Sequence, residues 1–518
     1  MVWATAGLIA AGTGLAAGEV LSARIPRMLS PVIGVGNRAI DLAPPLVKRF
    51  AIATFGTHDK QALLLGMAVT IAIFSAMVGV VARTRLRASI IALFLFGALG
   101  SLAAVTGRQG GIRAAVPSAV TAIVATLVLA TVSKYSHGSE SGAVTLIDRA
   151  VPTRSIATSP VTPTLSRRTI LATGAFGVVG AGLGLYARQL TAAADAAVRK
   201  AVRKLPLARK PLAPLPSSAG VRELTIANPF VTPNKDFYRI DTSLVVPRVD
   251  VAKWRLRITG MVAKELSYTY DELLDRALVE RDITLTCVSN EVGGILMGNA
   301  RWLGVPLQEL LDEAQADPKA TQIMGRSVDG WSAGFPTAAL RNTPNALVAI
   351  GMNGEPLPFE HGYPARLVIP GIYGYASATK WLDTIELTTL EAADGYWVPR
   401  GYAKKAPIKL ASRIDVPRGL STIASGPTAV AGIAWSQTVG ISQVEVKIDG
   451  GKWEEAELAD EVGVDTWRQW RFAWNASPGR HDIAVRAYDR AGKLQQEERV
   501  APLPDGATGW HQVLVFVA

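Results

Sequence analysis

Ile283-Thr284-Leu285-Thr286-Cys287-Val288-Ser289-Asn290-Glu291-Val292-Gly293-Gly294 is an alternating, β-branched run that opens into a glycine-containing loop. Its cysteine is the one cysteine in 518 residues. A single thiol rules out an intramolecular disulfide, a Cys-ligated iron–sulfur cluster, a CxxC redox pair and c-type haem attachment. Two readings of Cys287 remain. It is a buried small hydrophobe, or it is one soft thiolate presented to a metal from the end of a strand.

The chain around this stretch reads as α+β. Trp254–Val262 alternates like a strand and ends near a glycine turn. Tyr270–Leu278 predicts a short helix, and Leu303–Ala314 a longer one with Leu307, Leu310 and Leu311 on one face. Leu347–Leu357 predicts two strands joined at Asn353-Gly354. Arg366–Ile369 and Thr384–Leu390 predict further strands, and this domain ends near Tyr402. The segment that follows is all-β. Thr428–Trp435, Gln443–Ile448, Trp467–Trp474, His481–Tyr488 and Leu494–Arg499 are short, alternating runs separated by turns, the spacing of an immunoglobulin-like sandwich.

Upstream the texture is different. Mean hydropathy over the chain is +0.24, and the excess lies at the front. Ala62–Ala82, Ala88–Thr106 and Val116–Val132 are uncharged and long enough to cross a bilayer; Val2–Val20 and Thr169–Ala187 are weaker candidates. The implied organisation is a multi-span membrane domain (1–132), a Ser/Thr/Pro-rich cytoplasmic linker (133–168), an anchor helix (169–187), a basic Pro-rich tether (188–220), the α+β domain (221–402) and a β domain (403–518).

Arg83, Arg85 and Arg87 fill a tight loop between two spans, which places that loop and the N-terminus in the cytoplasm and everything after Ala187 outside. Arg24, Arg27, Arg38, Lys48, Arg49 and the tether bases run against this orientation. Ser166-Arg167-Arg168-Thr169 before a Gly/Ala-rich apolar stretch resembles an internal twin-arginine export signal and supports it. The expected location is therefore the cell membrane, multi-pass, with the α+β domain extracytoplasmic and the tether cations on anionic lipid. The formal net charge is +12, but the bases are scattered at membrane flanks without aromatic interleaving. That pattern excludes nucleic acid as a partner. Val178–Gly184 has no following βαβ pattern and reads as helix packing, not as a nucleotide loop.

Several motifs recur in one order: Asp236-Phe237-Tyr238-Arg239, Thr286-Cys287-Val288-Ser289-Asn290, Met352-Asn353-Gly354-Glu355, and His361-Gly362-Tyr363-Pro364-Ala365-Arg366 followed by Gly374 and Lys380-Trp381-Leu382. From about Asn228 onward the chain resembles the sulfite oxidase superfamily, in its membrane-anchored actinobacterial form. The resemblance implies a molybdopterin domain followed by an immunoglobulin-like dimerisation domain, hence a possible homodimer. It implies that Cys287 ligates molybdenum beside one pterin. Asn234, Tyr238, Asp329, His361, Arg366 and Lys380 fall on pterin-contacting positions, and Arg239 falls near the metal where it meets substrate.

The implied reaction is two-electron oxygen-atom transfer at a sulfur or related centre of a small molecule. Two positions depart from the pattern. Val292 stands where sulfite oxidases carry a second arginine, and Trp331 aligns with their active-site tyrosine. A methionine sulfoxide or another S- or N-oxide therefore competes with sulfite as substrate, and a non-catalytic binding or assembly module is the remote alternative. The five histidines are His58, His137, His361, His481 and His511. Only His58 lies near a span, so the membrane half supplies no bis-histidine haem. With neither haem nor iron–sulfur cluster, the chain needs a separate electron partner, a cytochrome or a quinone-linked protein. His511, in Gly509-Trp510-His511, reads as structural.

Overall fold

Uncharged runs free of internal proline satisfy their backbone most simply as helices, and the front of the chain does so in the computed structural model. It describes residues 2–25, 28–44, 47, 50–51, 54–55, 58–137, 167–209 and 211–518. The helices are Val2–Arg24 (α1), Pro31–Leu42 (α2), Asp59–Ala82 (α3), Leu86–Thr106 (α4), Val116–His137 (α5) and Arg167–Lys200 (α6). Among the described residues, five helices are long and apolar enough to cross a membrane, and the short α2 is not one of them. Ser30 caps α2, its hydroxyl accepting from Ile33 N–H at 3.3 Å, with Pro31 pre-set in the first turn.

Small residues let these helices approach. A Cβ on Gly7 of α1 would collide with Ser75 O of α3, and one on Gly14 would collide with Thr121 O of α5, the close packing that membrane helices favour. Leu65, Val69, Ile73 and Met77, each four residues apart on α3, point outward and are exposed. Water covers such a stripe poorly and lipid covers it well. The segment expected as an anchor, 169–187, lies within a longer helix, α6, that runs unbroken to Lys200. Most of the expected linker, and Ser166 of the twin-arginine motif, lie outside the described residues.

Met1–Arg199 with Thr242–Val245 forms one compact unit, and Lys200–Asp241 with Val246–Ala518 forms the other. The second unit contains an α+β region and a β-rich region. In the first region the strands are Leu256–Gly260 (β1), Leu266–Tyr268 (β2), Val279–Thr286 (β3), Met297–Pro306 (β4), Gln322–Ser327 (β5), Ser332–Pro336 (β6), Leu347–Met352 (β7), Glu355–Pro356 (β8), Arg366–Val368 (β9) and Leu382–Thr388 (β10). They form two sheets, β2-β1-β10-β5-β6 and β3-β4-β7-β8, with β9 added to β7. Helices Tyr270–Leu274 (α7), Leu307–Glu313 (α8) and Gly374–Ser377 (α9) lie between them in sequence.

The C-terminal strands are Ala411–Val416 (β11), Thr422–Ile423 (β12), Gly426–Trp435 (β13), Ile441–Ile448 (β14), Glu454–Glu455 (β15), Glu457–Leu458 (β16), Arg468–Ala476 (β17), Gly479–Asp489 (β18) and His511–Val517 (β19). They make the sheets β11-β13-β17-β16 and β12-β19-β18-β14-β15. Ile414, Val430 and Trp470 of the first meet Val444, Val446, Ile483 and Val515 of the second in one apolar core. The β13 strand buries both faces. Val430 and Ala434 enter that core, while the alternate residues Ala431, Ile433 and Trp435 pack with Phe230 and Met297 of the preceding domain. The period of two thus joins the β-rich region to the strand that follows the cysteine loop.

Three expectations change. Leu303–Pro306 belongs to β4, not to a helix, because Leu303 and Val305 pair with Gly351 and Val348 of β7. Cross-strand pairing outweighs the local helical pattern, and the helix begins only after Pro306. Leu494–Arg499 is not a strand beyond an isolated bridge from Leu494 to Tyr488. Its neighbour β18 is already flanked by β14 and β19 and offers no further edge. Tyr270–Leu278 is helical only to Leu274.

Candidate active site

Cys287 opens the loop between β3 and β4, whose last register pair is Thr286 with Met297. The loop is closed by its own hydrogen bonds. Cys287 N–H donates to Leu296 O at 2.9 Å, Asn290 N–H donates to Cys287 O at 3.1 Å, and Gly294 N–H donates to Glu291 O at 2.8 Å. Asn290 Oδ1 accepts from Leu296 N–H at 2.8 Å. Gly293 has φ +79°, a conformation that glycine adopts without strain. Cys287 is 7% exposed, and burial pushes its thiol pKa up.

The motif around His361 is folded by one glycine. Gly362 has φ +112°, and a Cβ there would stand 3.0 Å from Lys380 Cα. The two segments therefore run side by side. Leu367 N–H donates to Thr379 O at 3.0 Å, Trp381 N–H to Gly362 O at 3.2 Å and Leu382 N–H to Ala365 O at 2.9 Å. This ladder brings His361, Arg366 and Lys380 together, at 5%, 5% and 9% exposure.

Their surroundings differ. His361 Nε2 lies 3.0 Å from Asn234 O, so it donates there and carries the proton on that nitrogen. Burial and then Arg366 lower its pKa to about 4, leaving it neutral at pH 7. Asn234 also accepts from Asn353 Nδ2 at 2.9 Å and donates to Met352 O at 3.3 Å, tying the segment just ahead of the first motif to the third. Arg366 donates to His361 O at 3.2 Å and pairs with no carboxylate among the described residues. Burial lowers its pKa to about 10, still a cation. Lys380 Nζ bonds Asp241 at 2.8 Å and Glu360 O at 3.1 Å. Burial lowers its pKa to about 8 against the pull of Asp241.

Arg239 is exposed and shares Asp241 with Lys380, at 2.9 Å. Tyr238 stacks on Phe237 with centroids 5.3 Å apart. Burial and the neighbouring Cys287 raise its phenol pKa, and Arg366 opposes this. Tyr238 is thus close enough to both the cysteine and the buried arginine to feel their charge. Asp329 is buried in the β5–β6 turn, where its carboxylate accepts from Trp331 N–H at 3.0 Å. Val328 N–H donates to Trp381 O at 2.9 Å and holds that turn beside Lys380. The folding therefore gathers the sequence candidates into one neighbourhood.

It adds contacts beyond the site residues expected from the sequence. Asp241 links two of the cations. Tyr373 interacts electrostatically with Cys287. Gly374 admits Tyr238 Oη and Thr286 O, at 3.6 and 3.7 Å from where its Cβ would be. Thr286 Oγ1 and Thr379 Oγ1, next to Cys287 and Lys380, are buried without a hydrogen-bond partner among the described residues. A buried arginine lacking an acid and two unsatisfied hydroxyls fit an anionic, hydrogen-bonding group that the protein itself does not provide. A small cleft adjoins Thr286 and is lined in part by Val292, Glu291, Tyr373 and Lys409, with no arginine.

These features define a thiol-bearing loop beside an anion site, and comparison with known proteins supplies the class. Residues 243–397 match the oxidoreductase molybdopterin binding domain. The mitochondrial sulfite oxidase of Macaca fascicularis is 29% identical over 56% of this chain and 62% of its own length. Arabidopsis thaliana sulfite oxidase is 27% identical over 58% of this chain and 92% of its own. The uncharacterized oxidoreductase YuiH of Bacillus subtilis is 30% identical over 30% of this chain and 74% of its own. The crystal structure of the sulfane dehydrogenase SoxCD from Paracoccus pantotrophus superposes at a TM-score of 0.49, with 23% identity, covering 55% of this chain and 81% of that one. The chain spans 62% of the length of the mitochondrial sulfite oxidases that it matches. It belongs to the sulfite oxidase superfamily of molybdopterin-dependent oxidoreductases. Membership implies a molybdenum-molybdopterin cofactor, and the buried cationic pocket suits its phosphate.

Proposed function

We propose that this chain is a membrane-anchored molybdenum oxidoreductase that transfers an oxygen atom to or from sulfur or a related centre and exchanges electrons with a separate protein. The observation that carries it is the pairing of one buried thiol with a buried, acid-free arginine in one neighbourhood. Cys287 would ligate the metal, and Arg366, His361 and Lys380 would hold the pterin and its phosphate, with Asn234, Tyr238 and Asp329 around them. When bound, the cofactor supplies two-electron oxygen-atom transfer.

The protein's own part is positional and electrostatic. Arg366 offers a pre-oriented cation at no further desolvation cost. Neutral His361, its Nε2 proton engaged by Asn234 O, leaves Nδ1 as an acceptor and adds no charge. Arg239 and Lys380, bridged by Asp241, would draw an anionic substrate or phosphate inward. The apolar helices would anchor the chain in the cell membrane with its N-terminus cytoplasmic, its catalytic domain extracytoplasmic and its tether bases on anionic lipid. The β-rich region is read as an immunoglobulin-like module, suited to homodimer contact. Haem and iron–sulfur clusters have no part in this reading, so a cytochrome or quinone-linked protein completes the electron path.

The cleft favours a second reading of the substrate. Val292 contributes no charge, and Lys409 is held by Asp505 at 2.8 Å and by Gly506 O at 2.9 Å. Read as the substrate entrance because Thr286 and Val292 of the cysteine segment line it, a cleft with one compensated lysine and Glu291 suits a neutral S- or N-oxide better than a sulfite dianion. Metal analysis of protein made in a cofactor-producing host tests the core proposal. Molybdenum near one per chain is expected, and its absence overturns the reading. Sulfite-dependent cytochrome c reduction, set against methionine sulfoxide reduction with an artificial donor, separates the substrates. Bound pterin without turnover on either supports a binding module instead.

A further inference from the structure

The β-rich region touches the cysteine segment on both sides of Cys287. Ahead of it, in β3, Thr284 N–H donates to Asp465 O at 3.0 Å. Thr284 Oγ1 accepts from Trp467 N–H at 2.8 Å, and Gln437 Nε2 donates to Thr284 O. Beyond it, at the loop tip, Arg413 Nη1 donates to Gly294 O at 2.6 Å. The His511 ring lies so close to Gly293 that a Cβ on that residue would collide with it. Both tip contacts are themselves fixed. Arg413 Nε bonds Asp415 at 2.7 Å, and Asp415 accepts from Asn228 Nδ2 at 3.0 Å. His511 Nδ1 accepts from Ile414 N–H at 3.0 Å, so its proton sits on Nε2. The β13 face bearing Ala431, Ile433 and Trp435 packs with Met297, just past the loop.

We propose that the β-rich region is a positioning frame for the Cys287 sulfur, with Arg413 and His511 as positioning residues that act through the loop tip. This rests on the reading of Cys287 as the metal ligand. A thiolate ligand is useful only if its Cα–Cβ–Sγ direction is set before the metal arrives. The loop's internal bonds fix its shape. They do not fix its tilt on the β3–β4 pair, and two grips at Thr284 and at Gly293-Gly294 do. The region therefore has a task inside each chain, separate from any contact between chains. His511, read from the sequence as structural, is part of it.

The experiment exploits the single cysteine. In full-length, cofactor-free protein in detergent, the rate of Cys287 alkylation by iodoacetamide reports how often the loop opens. Arg413→Ala should speed alkylation about tenfold or more, the effect of losing one charge-assisted hydrogen bond. Arg413→Lys should restore much of the protection. His511→Ala gives an independent second test, expected to be several-fold faster. Unfolding midpoints are measured alongside, and a rate that tracks global unfolding overturns the proposal. Alkylation unchanged in both alanine variants also overturns it. In cofactor-loaded protein the same variants should shift the thiolate-to-metal charge-transfer band, while a loop with only a structural role would leave it in place. Molybdenum content of wild-type protein reads the functional proposal separately, so failure of either idea is seen by itself.

Discussion

Arg366 lies over Trp302, its guanidinium carbon 5.1 Å from the ring centroid. Trp302 is fully buried and anchored by its indole N–H to Ile283 O at 3.0 Å, on the strand that leads to Cys287. The same tryptophan therefore supports the buried cation and the cysteine strand. A cation–π contact and main-chain carbonyls replace part of the hydration that Arg366 loses, but not a counter-charge.

From this follows a test with opposite signs. In cofactor-free protein Arg366→Met removes a desolvated charge and keeps the volume, so stability should hold or rise by about 1–3 kcal/mol. The same variant should lose the pterin and the molybdenum. Urea unfolding of the cofactor-free chain and metal analysis of the loaded chain check the two halves. A variant that unfolds readily and still binds metal would refute the assignment.

Acid sensitivity has a definite window. His361 and His511 both ordinarily titrate near 6.5 and are held at about 4 in the fold, chiefly by burial. Between those values the unfolded chain takes up protons that the folded chain refuses. Their contribution is complete above pH 6.5 and is lost as pH falls toward 4, on the order of 2–3 kcal/mol for each. The unfolding midpoint of the cofactor-free protein should drop across this range. His361→Gln and His511→Gln should each flatten the slope, and slopes equal to wild type would show that other groups control it.

Packing beneath the site can be probed without touching a polar group. A Cβ on Gly298 would fall 2.6 Å from the Phe237 ring. Phe237 stacks with Tyr238 and meets His361 edge-on at 5.5 Å. Gly298→Ala should cost about 1–3 kcal/mol by overpacking and should weaken cofactor retention by displacing both neighbours. Thermal unfolding together with pterin fluorescence of released cofactor measures both effects.

Much of this site is legible in the sequence, because its parts are local. The β-branched alternation of Ile283–Thr286 marks the strand before Cys287, and Asn353-Gly354 marks a tight turn, with φ +52° and +79°. The glycine of His361-Gly362 signals a close approach, though not that Lys380 is what approaches. What was missed is long-range. Asp241 stands two residues after Arg239, but its link to Lys380, 139 residues on, forms only through folding. Ala411–Val416 pairs with β13 and His511–Val517 with β18, and neither run is marked by its local pattern. His511 therefore looked like an ordinary core histidine. At Leu303–Pro306 a helical pattern was overridden by pairing with β7, a tertiary effect that no local window contains.

Cys287→Ser separates ligation from packing. The side chain is buried and nearly isosteric, so the fold should survive with a loss of about 1 kcal/mol from burying a hydroxyl. Turnover should disappear, as should the thiolate-to-metal absorption, whether or not pterin remains. Retained turnover would make Cys287 the buried hydrophobe of the first reading.

Substrate choice is argued from Val292. It lines the cleft beside Thr286, where Glu291 and the compensated Lys409 leave no uncompensated cation. An arginine introduced there would add one charge at the mouth, worth roughly 1–2 kcal/mol toward a bound dianion in a partly desolvated cleft. Val292→Arg should therefore lower KM for sulfite by about tenfold, with little change in kcat, and leave KM for a neutral sulfoxide unchanged or higher. The gain should shrink as salt is raised, since the mouth is open to ions. Steady-state kinetics on both substrates at two ionic strengths decide the matter. Equal effects on the charged and neutral substrates would mean that Val292 shapes the loop and not the field at its mouth.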